Sequence, residues 1–338
     1  MNKPVVLGIV GAGNIGKLHM SNLINDKNVR IKTVSDLFIE HFKNNEITEN
    51  IDVLTDDYMD ILGDEEINAV MICSPTNTHI PLIKEAAKKG KHIFCEKPIS
   101  FSDEESIEAY REVKEAGVIF QIGFNRRFDK NFSSIRERVA NGKIGTPHIL
   151  KITSRDPKPP HIDYIASSGG LFYDMTIHDF DMARFMMDSE VVEVYAQGAN
   201  LVNEEIREKG DIDTAIITLT FDNGAIGVID NSREAVYGYD QRVEMFGNKG
   251  TLTADNETPT NITYYHQEGV QQDNPLYFFL ERYNDAYIAE VSDFIKSVLA
   301  NESSSVSFYD GLMAQRIAQA AQRSFDNKKP VQVDTEIW

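Results

Sequence analysis

The chain has 338 residues, of which 41% are hydrophobic, and these values are typical of a folded protein with two domains and not of a disordered one. A net charge of −19, from 34 basic and 53 acidic side chains, argues against a protein that binds nucleic acid or an anionic membrane surface. No apolar run predicts a transmembrane helix, and the N-terminus lacks the pattern of a signal peptide. Cys73 and Cys95 lie in apolar runs and are expected to be core residues of a cytoplasmic protein.

The first 36 residues carry a dinucleotide-binding pattern. The run VVLGIV predicts a strand at residues 5–10, GAGNIG follows at residues 11–16, and KLHMSNLI predicts a helix. A second predicted strand, VRIKTVS, leads to Asp36. Strand, G-x-G-x-x-G, helix, strand and acid in this order form the fingerprint of a Rossmann unit.

Each glycine of this fingerprint has a physical role toward a dinucleotide. Gly11 permits the tight turn, Gly13 lets the backbone approach the pyrophosphate, and Gly16 lets the helix pack close to the strand. The first turn of the helix, with Asn14 and Ile15, offers free N–H groups and the positive end of the helix dipole to the phosphates.

The acid at position 36 predicts which dinucleotide is bound. Asp36 can accept hydrogen bonds from both ribose hydroxyls and repels a 2′-phosphate. Leu37 and Phe38 follow it, so no arginine is present there to bind that phosphate. The sequence therefore favours NAD over NADP as the cofactor.

Strands and helices continue to alternate up to about residue 124. INAVMICS, KHIFCE and VIFQIG predict strands, with helices between them. This order predicts a mostly parallel, doubly wound sheet with ligands at the carboxyl ends of its strands. The residues expected to bind the cofactor are Gly11, Gly13, Asn14, Ile15, Gly16, Asp36, Ser74, Pro75, Asn77, His79, Glu96 and Lys97.

Lys97 is the first candidate for chemistry. A lysine is ordinarily a solvated surface residue, but this one stands between the acid Glu96 at a strand end and Pro98. The crevice at that strand end is where the nicotinamide ring is expected. We therefore predict a functional role for Lys97.

The second half, residues 125–338, has a different pattern. After a helix near residues 132–140 and the strand HILKITSRD, several strand-like runs follow one another: VVEVYAQGA, DTAIITLTF, GAIGVID and QRVEMFG. FDNG and GNKG are hairpin signals between them. We predict an α/β fold in which an N-terminal Rossmann domain, residues 1–124, precedes an α/β domain on a largely antiparallel open sheet, residues 125–338. The last predicted helix, residues 309–325, could pack back onto the first domain.

The segment GGLFYDMTIHDFDMARF places Asp174 four residues before His178, a spacing that puts two side chains on one face of a helix. A metal site would need a third ligand, for which Asp179 and Asp181 are the nearby candidates, and no cluster of histidine or cysteine completes the set, so no metal is predicted. Asp174 also suits a helix N-cap, which leaves His178 without an explanation.

An acid/base role accounts for both residues. An enzyme that oxidises an alcohol must remove the hydroxyl proton while hydride leaves the carbon, and histidine is the common base, oriented by a carboxylate. A lysine cation near the reacting oxygen stabilises developing alkoxide charge. Lys97, Asp174 and His178 are thus the predicted catalytic residues.

GAGNIG, EKP and DMTIHDFDMAR together resemble the motifs of the Gfo/Idh/MocA oxidoreductases over essentially the whole chain, and SRDPKPPHIDY followed by SGGLFYDMTIHDFDMARF resembles the bacterial inositol 2-dehydrogenases. The resemblance implies NAD-dependent oxidation of myo-inositol to 2-keto-myo-inositol (scyllo-inosose), often by a homotetramer, with no nucleic-acid or membrane partner. It also implies that the lysine of EKP and the D-x-x-x-H pair are catalytic. The substrate ligands that it implies are Lys97, Arg127, Asp156, Asp174, His178, Tyr237 and Tyr283, with Tyr239 an equally plausible neighbour of Tyr237.

A wall of polar residues suits a cyclic polyol, because each hydroxyl needs a donor or an acceptor. Two alternatives remain open at this point. In the first, the same motifs belong to a dehydrogenase of another cyclic polyol or aldose, such as scyllo-inositol, D-chiro-inositol or glucose. In the second, the chain is a non-catalytic sensor of sugars that binds NAD.

Overall fold

The structure is a computed structural model that describes residues 3–42 and 46–336. The described strands are β1 (Val5–Val10), β2 (Val29–Ser35), β3 (Val53–Thr55), β4 (Ala69–Ile72), β5 (His92–Glu96), β6 (Phe120–Gly123), β7 (Pro147–Arg155), β8 (Val191–Ala199), β9 (Thr214–Phe221), β10 (Ile226–Ser232), β11 (Asp240–Gly247), β12 (Gly250–Ala254), β13 (Thr263–His266), β14 (Gly269–Gln272) and β15 (Val331–Gln332). The described α-helices are α1 (Asn14–Leu23), α2 (Met59–Leu62), α3 (His79–Lys88), α4 (Asp103–Ala116), α5 (Lys130–Ala140), α6 (Ile162–Ile165), α7 (Ile177–Met187), α8 (Glu204–Glu208), α9 (Phe279–Arg282), α10 (Asn284–Ala300) and α11 (Phe308–Asn327).

The described residues divide into two compact units. The first comprises the chain up to Asn125 together with Tyr287–Gln315, and the second comprises Arg126–Ala286 together with the chain from Arg316 onward. The two domains proposed from the sequence, residues 1–124 and 125–338, stay a prediction, and they differ from these units in the placement of residues 287–315.

The first unit is built on a six-stranded parallel sheet in the order β3-β2-β1-β4-β5-β6, which confirms the predicted doubly wound Rossmann sheet. The local sequence explains where helix α4 of this unit begins and ends. Ser102 caps α4 by accepting a hydrogen bond from the backbone N–H of Glu105, and Gly117, with φ of +64°, ends it. All strand carboxyl ends therefore meet at one edge, where the predicted cofactor residues lie.

The hydrophobic core of the first unit includes residues from the end of the chain as well as from its start. Val5, Leu7 and Ile9 of β1 are buried together with Phe294 and Ile295 of α10. Gly311 of α11 also packs on this unit, because a Cβ atom there would lie 2.4 Å from Cδ1 of Ile99.

The second unit is built on a seven-stranded sheet in the order β12-β11-β7-β10-β9-β8-β15. All neighbouring pairs are antiparallel except β7 and β10, which confirms the predicted largely antiparallel sheet. The predicted hairpins at FDNG and GNKG join β9 to β10 and β11 to β12. A separate hairpin pairs β13 with β14.

One face of the second sheet leaves apolar side chains in contact with solvent. Ile216 of β9, Ile226 of β10 and Phe246 of β11 are 46%, 53% and 41% exposed. Alternate residues of these strands, such as Ile217 and Ile229, are fully buried on the other face. In the part of the chain that the structure describes, no helix has both the length and the apolar character to cross a membrane.

Candidate active site

The glycines of the fingerprint adopt the positions that the pattern requires. Gly11 has φ of +103°, and a Cβ atom there would lie 2.6 Å from the backbone carbon of Cys73. A Cβ atom on Gly16 would lie 2.0 Å from the carbonyl oxygen of Gly11. By contrast, a Cβ atom on Gly13 would meet no atom within 4 Å, so this backbone is open to a ligand.

The start of α1 is suited to bind an anion. Gly13 is its N-cap residue, its first turn contains no acidic side chain, and no side chain accepts a cap hydrogen bond there. Gly13 and Asn14 are exposed and Ile15 is half-buried. The N–H groups of the first turn are therefore available to a pyrophosphate.

Asp36 is held at the end of β2 by two backbone groups. Its Oδ2 accepts a hydrogen bond from the N–H of Ala12 at 2.7 Å, and its Oδ1 accepts one from the N–H of Phe38 at 2.8 Å. The carboxylate is half-buried beside the glycine loop, while Leu37 and Phe38 are exposed. This arrangement fits the adenosine ribose of NAD.

The predicted residues after β4 separate into two groups. Pro75 and Asn77 are exposed, and Ser74 is half-buried with its hydroxyl 2.6 Å from that of Thr78. His79 is only 1% exposed, and its two ring nitrogens lie 2.7 Å from the carbonyl oxygen of Pro98 and 2.8 Å from that of Ser74. Burial lowers the pKa of His79, and both carbonyl contacts oppose that change. The ring of His79 thus joins the ends of β4 and β5.

Glu96 and Lys97 follow one another at the end of β5. The Glu96 carboxylate points into the unit, where its Oε1 lies 2.8 Å from Nε2 of His19. Lys97 is half-buried, unlike an ordinary surface lysine. The strand end therefore places a cation next to the predicted nicotinamide position.

In the second unit, Asp174 lies in a helix with an irregular turn. Phe172–Thr176 is a π-helical segment that runs directly into α7, and the N–H of Asp174 donates to the carbonyl of Gly170. The N-cap interpretation of Asp174 is therefore wrong, because the residue lies inside the helix and not before it. Segments of this kind widen a helix locally and are frequent at functional sites.

Both carboxylate oxygens of Asp174 have partners. Oδ1 accepts a hydrogen bond from the hydroxyl of Tyr164 at 2.8 Å, and Oδ2 accepts one from Nη1 of Arg233 at 3.1 Å. Arg233 is 1% exposed, and its Nη2 lies 3.6 Å from Oδ2 of Asp211. Asp174 is thus held as a carboxylate beside a buried cation.

The acids that follow His178 are paired with two neighbouring arginines. Asp179 accepts a hydrogen bond from Nη1 of Arg126 at 2.5 Å, and Asp181 accepts two from Arg127, at 2.6 Å and 2.8 Å. His178 itself is half-buried on α7. Asp179 and Asp181 therefore serve as partners of arginine side chains.

Asp156 lies directly after β7 on the same unit. Burial raises the pKa of Asp156 to about 6, with Arg233 opposing the rise and the charge of Asp174 adding to it. A carboxyl group of this kind can accept or donate a hydrogen bond near neutral pH, which suits a hydroxyl-rich ligand.

The three tyrosines have different surroundings. Tyr239 and Tyr283 are buried, their rings meet edge to face at 5.9 Å, and the hydroxyl of Tyr239 lies 3.4 Å from Nη2 of Arg126. Tyr237 is 39% exposed, and its hydroxyl donates to Asp240 at 2.6 Å. Burial raises the pKa of Tyr283 to about 12, so its hydroxyl keeps its proton at neutral pH.

Three residues near the candidate site are missing from the predicted set. Arg126, Tyr164 and Arg233 each contact a predicted residue or its neighbour. Tyr164 is the last residue of the motif SRDPKPPHIDY, whereas neither arginine belongs to a motif found in the sequence. Arg126 is adjacent to the predicted Arg127, and it is Arg126 that contacts Tyr239. Only the paired acids, each needing a cation when buried, could have pointed to these arginines.

Among residues 3–42 and 46–336, one group of three potential metal ligands lies close together, namely His19, Glu96 and Glu290, all in the first unit. Asp174 and His178 are not part of this group.

Comparison with known proteins decides the family. Residues 5–124 match the description "Oxidoreductase family, NAD-binding Rossmann fold", and residues 132–253 match "GFO/IDH/MocA C-terminal domain". A protein of Bacillus subtilis (strain 168) described as "Uncharacterized oxidoreductase YrbE" is 54% identical, with 99% of this chain and 98% of that protein covered. The chain belongs to the Gfo/Idh/MocA oxidoreductase family.

Other members of the Gfo/Idh/MocA family are similar over the whole chain. A "Myo-inositol 2-dehydrogenase" of Thermotoga maritima is 46% identical, with 98% of this chain and 99% of that protein covered. The structure of a "probable dehydrogenase" from the same organism has a TM-score of 0.94 at 47% identity, covering 97% and 98%. A scyllo-inositol dehydrogenase of Lactobacillus casei, solved "with bound cofactor NAD(H) and scyllo-inositol", has a TM-score of 0.89 at 28% identity, covering 98% and 99%.

Membership of the Gfo/Idh/MocA family confirms the resemblance predicted from the sequence. It also confirms the prediction of an oxidoreductase with an NAD-binding Rossmann fold. The open Gly13 backbone, the uncapped start of α1 and the Asp36 carboxylate beside the glycine loop fit NAD as the cofactor. The predicted roles of individual site residues in this Gfo/Idh/MocA member remain predictions.

Proposed function

We propose that this protein is an NAD-dependent inositol 2-dehydrogenase that oxidises the axial hydroxyl of myo-inositol to 2-keto-myo-inositol. The observation that carries the proposal is the environment of Asp174, whose oxygens are fixed by Tyr164 and buried Arg233. The identity of the Thermotoga maritima relative, a myo-inositol 2-dehydrogenase, supports the choice of substrate.

The chemistry divides between a proton and a hydride. NAD, when bound, supplies the acceptor for the hydride that leaves the substrate carbon. His178 takes the hydroxyl proton as general base, and Lys97 stabilises the negative charge that develops on the oxygen. Asp174 binds the substrate and orients the base, and its contacts with Tyr164 and Arg233 keep it in one position.

Specificity for a cyclic polyol rests on polar groups of the second unit. Arg127, Asp156, Tyr237 and Tyr283 are the proposed ligands of the remaining hydroxyls, with Tyr239 the alternative to Tyr237. A pocket that pairs with hydroxyls rejects an analogue without them, because a buried polar group would then lose its partner. Asp156 suits this role because its carboxyl is neither fully charged nor fully neutral near pH 6.

A polyol panel tests the substrate. Purified protein is incubated with NAD and, in turn, with myo-inositol, scyllo-inositol, D-chiro-inositol, glucose and cyclohexanol, and NADH is followed by absorbance. We expect myo-inositol to have the highest kcat/KM and cyclohexanol to be inert. A higher kcat/KM for scyllo-inositol or glucose would change the substrate, and no oxidation of any polyol would favour the NAD-bound sensor and contradict the proposal.

We also propose that the protein is a cytoplasmic homotetramer without nucleic-acid or membrane partners. The exposed apolar side chains Ile216, Ile226 and Phe246 on the open face of the second sheet support subunit contacts, since such patches are usually covered. The absence of a disulfide between Cys73 and Cys95, both free, is compatible with a reducing compartment. Light scattering coupled to size-exclusion chromatography tests the oligomeric state, and a monomer would contradict it.

A further inference from the structure

The first unit contains a buried ionisable pair that the proposed chemistry does not use. His19 of α1 is fully buried, and its Nε2 lies 2.8 Å from Oε1 of Glu96, whose side chain is 13% exposed. The imidazole ring packs edge-on against Phe94 at 5.4 Å and against Tyr287 at 5.7 Å. Both aromatic contacts hold the ring so that Nε2 faces the carboxylate.

A buried histidine–carboxylate pair is not explained by its contribution to the stability of the fold. Removing two polar groups from water is costly, and a well-packed apolar pair of similar volume is often as stable or more stable. Fixed geometry is what a buried hydrogen bond of this kind provides beyond an apolar contact.

The pair joins the two elements that matter most to the proposed reaction in this unit. His19 lies on α1, whose first turn is open to the pyrophosphate. Glu96 is the last residue of β5, and Lys97 is the next residue along the chain. One hydrogen bond therefore connects the cofactor-binding helix to the strand end from which Lys97 projects.

The Glu96 carboxylate has little room to move. A Cβ atom on Gly123, its neighbour on β6, would lie 2.9 Å from Oε2 of Glu96. The ligand atoms of His19, Glu96 and Glu290 all lie within 4.8 Å of one another, so a second carboxyl group is close to that of Glu96. Loss of the His19 contact would remove a hydrogen-bond partner from this closely packed carboxylate, so we expect the strand end to adjust.

We propose that His19 is a positioning residue, which fixes Glu96 and through it the backbone that presents Lys97 to the substrate oxygen. The inference rests on the proposed function, since it takes Lys97 to act at the reacting oxygen. Displacement of a catalytic group by about 1 Å can slow a reaction by about 100-fold, so a hydrogen bond that prevents it affects turnover more than binding.

The test compares His19→Phe with His19→Gln. Phenylalanine keeps the ring packing against Phe94 and Tyr287 but has no donor, whereas the glutamine amide can still donate to Glu96. His92→Phe is the matched control, because His92 is half-buried at the opposite end of β5, where its Nδ1 accepts from the N–H of Ile119. Each variant is assayed with NAD and with the polyol that the wild type oxidises best.

We expect His19→Phe to lower kcat by about 10- to 100-fold while the Kd for NAD changes by less than about 3-fold. The deuterium isotope effect on kcat, measured with substrate labelled at the reacting carbon, should rise because hydride transfer becomes the slow step. His19→Gln should recover most of kcat, and His92→Phe should retain it. A smaller folded fraction alone would lower the number of NAD sites and leave the isotope effect unchanged.

Several results would overturn the inference. One is a kcat for His19→Phe within about 2-fold of wild type; another is a loss that matches the loss of NAD sites with an unchanged isotope effect. A stoichiometric divalent cation in the purified wild type that is absent from His19→Phe would also overturn it, because His19 would then be a metal ligand. If the wild type oxidises no polyol, the proposed function fails in the unmodified protein, and the inference fails with it.

Discussion

The carboxyl group of Asp156 makes the stability of the protein depend on pH, and Asp156→Asn should reveal it. Burial raises the pKa of Asp156 from 3.8 to about 6. A carboxyl whose pKa is higher in the folded state stabilises the fold fully below the unfolded value, near pH 4. That contribution is lost as the pH rises through about 6. Asparagine has a similar shape and does not ionise.

The size of the effect follows from the pKa. One pKa unit corresponds to about 1.4 kcal/mol, so ionised Asp156 lowers the free energy of unfolding by about 3 kcal/mol well above pH 6. About half of this loss is complete at pH 5, which leaves roughly 1–2 kcal/mol to be lost between pH 5 and pH 8. For a unit of this size, a loss of that order corresponds to roughly 3–6 °C in Tm.

Thermal unfolding of the protein without ligands, measured by calorimetry at pH 5 and pH 8, tests this reasoning. We expect the Tm of Asp156→Asn, relative to wild type, to rise by roughly 3–6 °C from pH 5 to pH 8. Asp163→Asn is the matched control, because it removes a carboxylate whose side chain is 83% exposed. A value of Tm for Asp156→Asn minus Tm for wild type that is the same at both pH values would refute the assigned cause, as would a value that is lower at pH 8 than at pH 5.

Two further predictions concern the cofactor and the base. Asp36→Ala should weaken NAD binding and narrow the ratio of kcat/KM for NAD over NADP, because a carboxylate no longer faces the 2′-position; a wild type that uses both cofactors equally would contradict this role. His178→Ala should lower kcat by roughly 10²–10⁴-fold with little change in the Kd for NAD, and Asp174→Asn should also slow turnover. A near-normal kcat in either folded variant would remove that residue from the mechanism, and zinc-dependent recovery after chelation would indicate a metal site.

The features predicted well from the sequence are those written in consecutive residues. The glycine fingerprint, the apolar strand runs and the hairpin turns each depend on local conformation, so their positions follow from spacing. Even the half-buried state of Lys97 follows from its place after a buried strand. The parallel pairing of β7 with β10 does not, because its paired residues, such as Ile149 and Ile226, lie 77 positions apart along the chain.

The candidate site of the second unit was predicted less completely, since its contacts are long-range. Nothing local distinguishes Arg126, which binds Asp179, from Arg127, which binds Asp181. The π-helical segment around Asp174 also lacks a sequence signal. The sequence argument assumed regular α-helical geometry between Asp174 and His178, and the structure departs from that geometry at Asp174. Arg233, which directly follows β10, contacts Asp174 because the fold places the end of β10 next to the π-helical segment.

The split of the first unit along the chain has a consequence for its synthesis. Phe294 and Ile295 complete a core that begins with β1, so a ribosome must make nearly 300 residues before that core can close. A gene fragment encoding only residues 1–125 should accordingly yield a polypeptide with an uncovered apolar surface, prone to aggregation. For the same reason, a chimaeric protein with a single crossover after residue 125 would lack part of this core. A chimaera that exchanges the nucleotide-binding unit has to include α10 and the start of α11 as well.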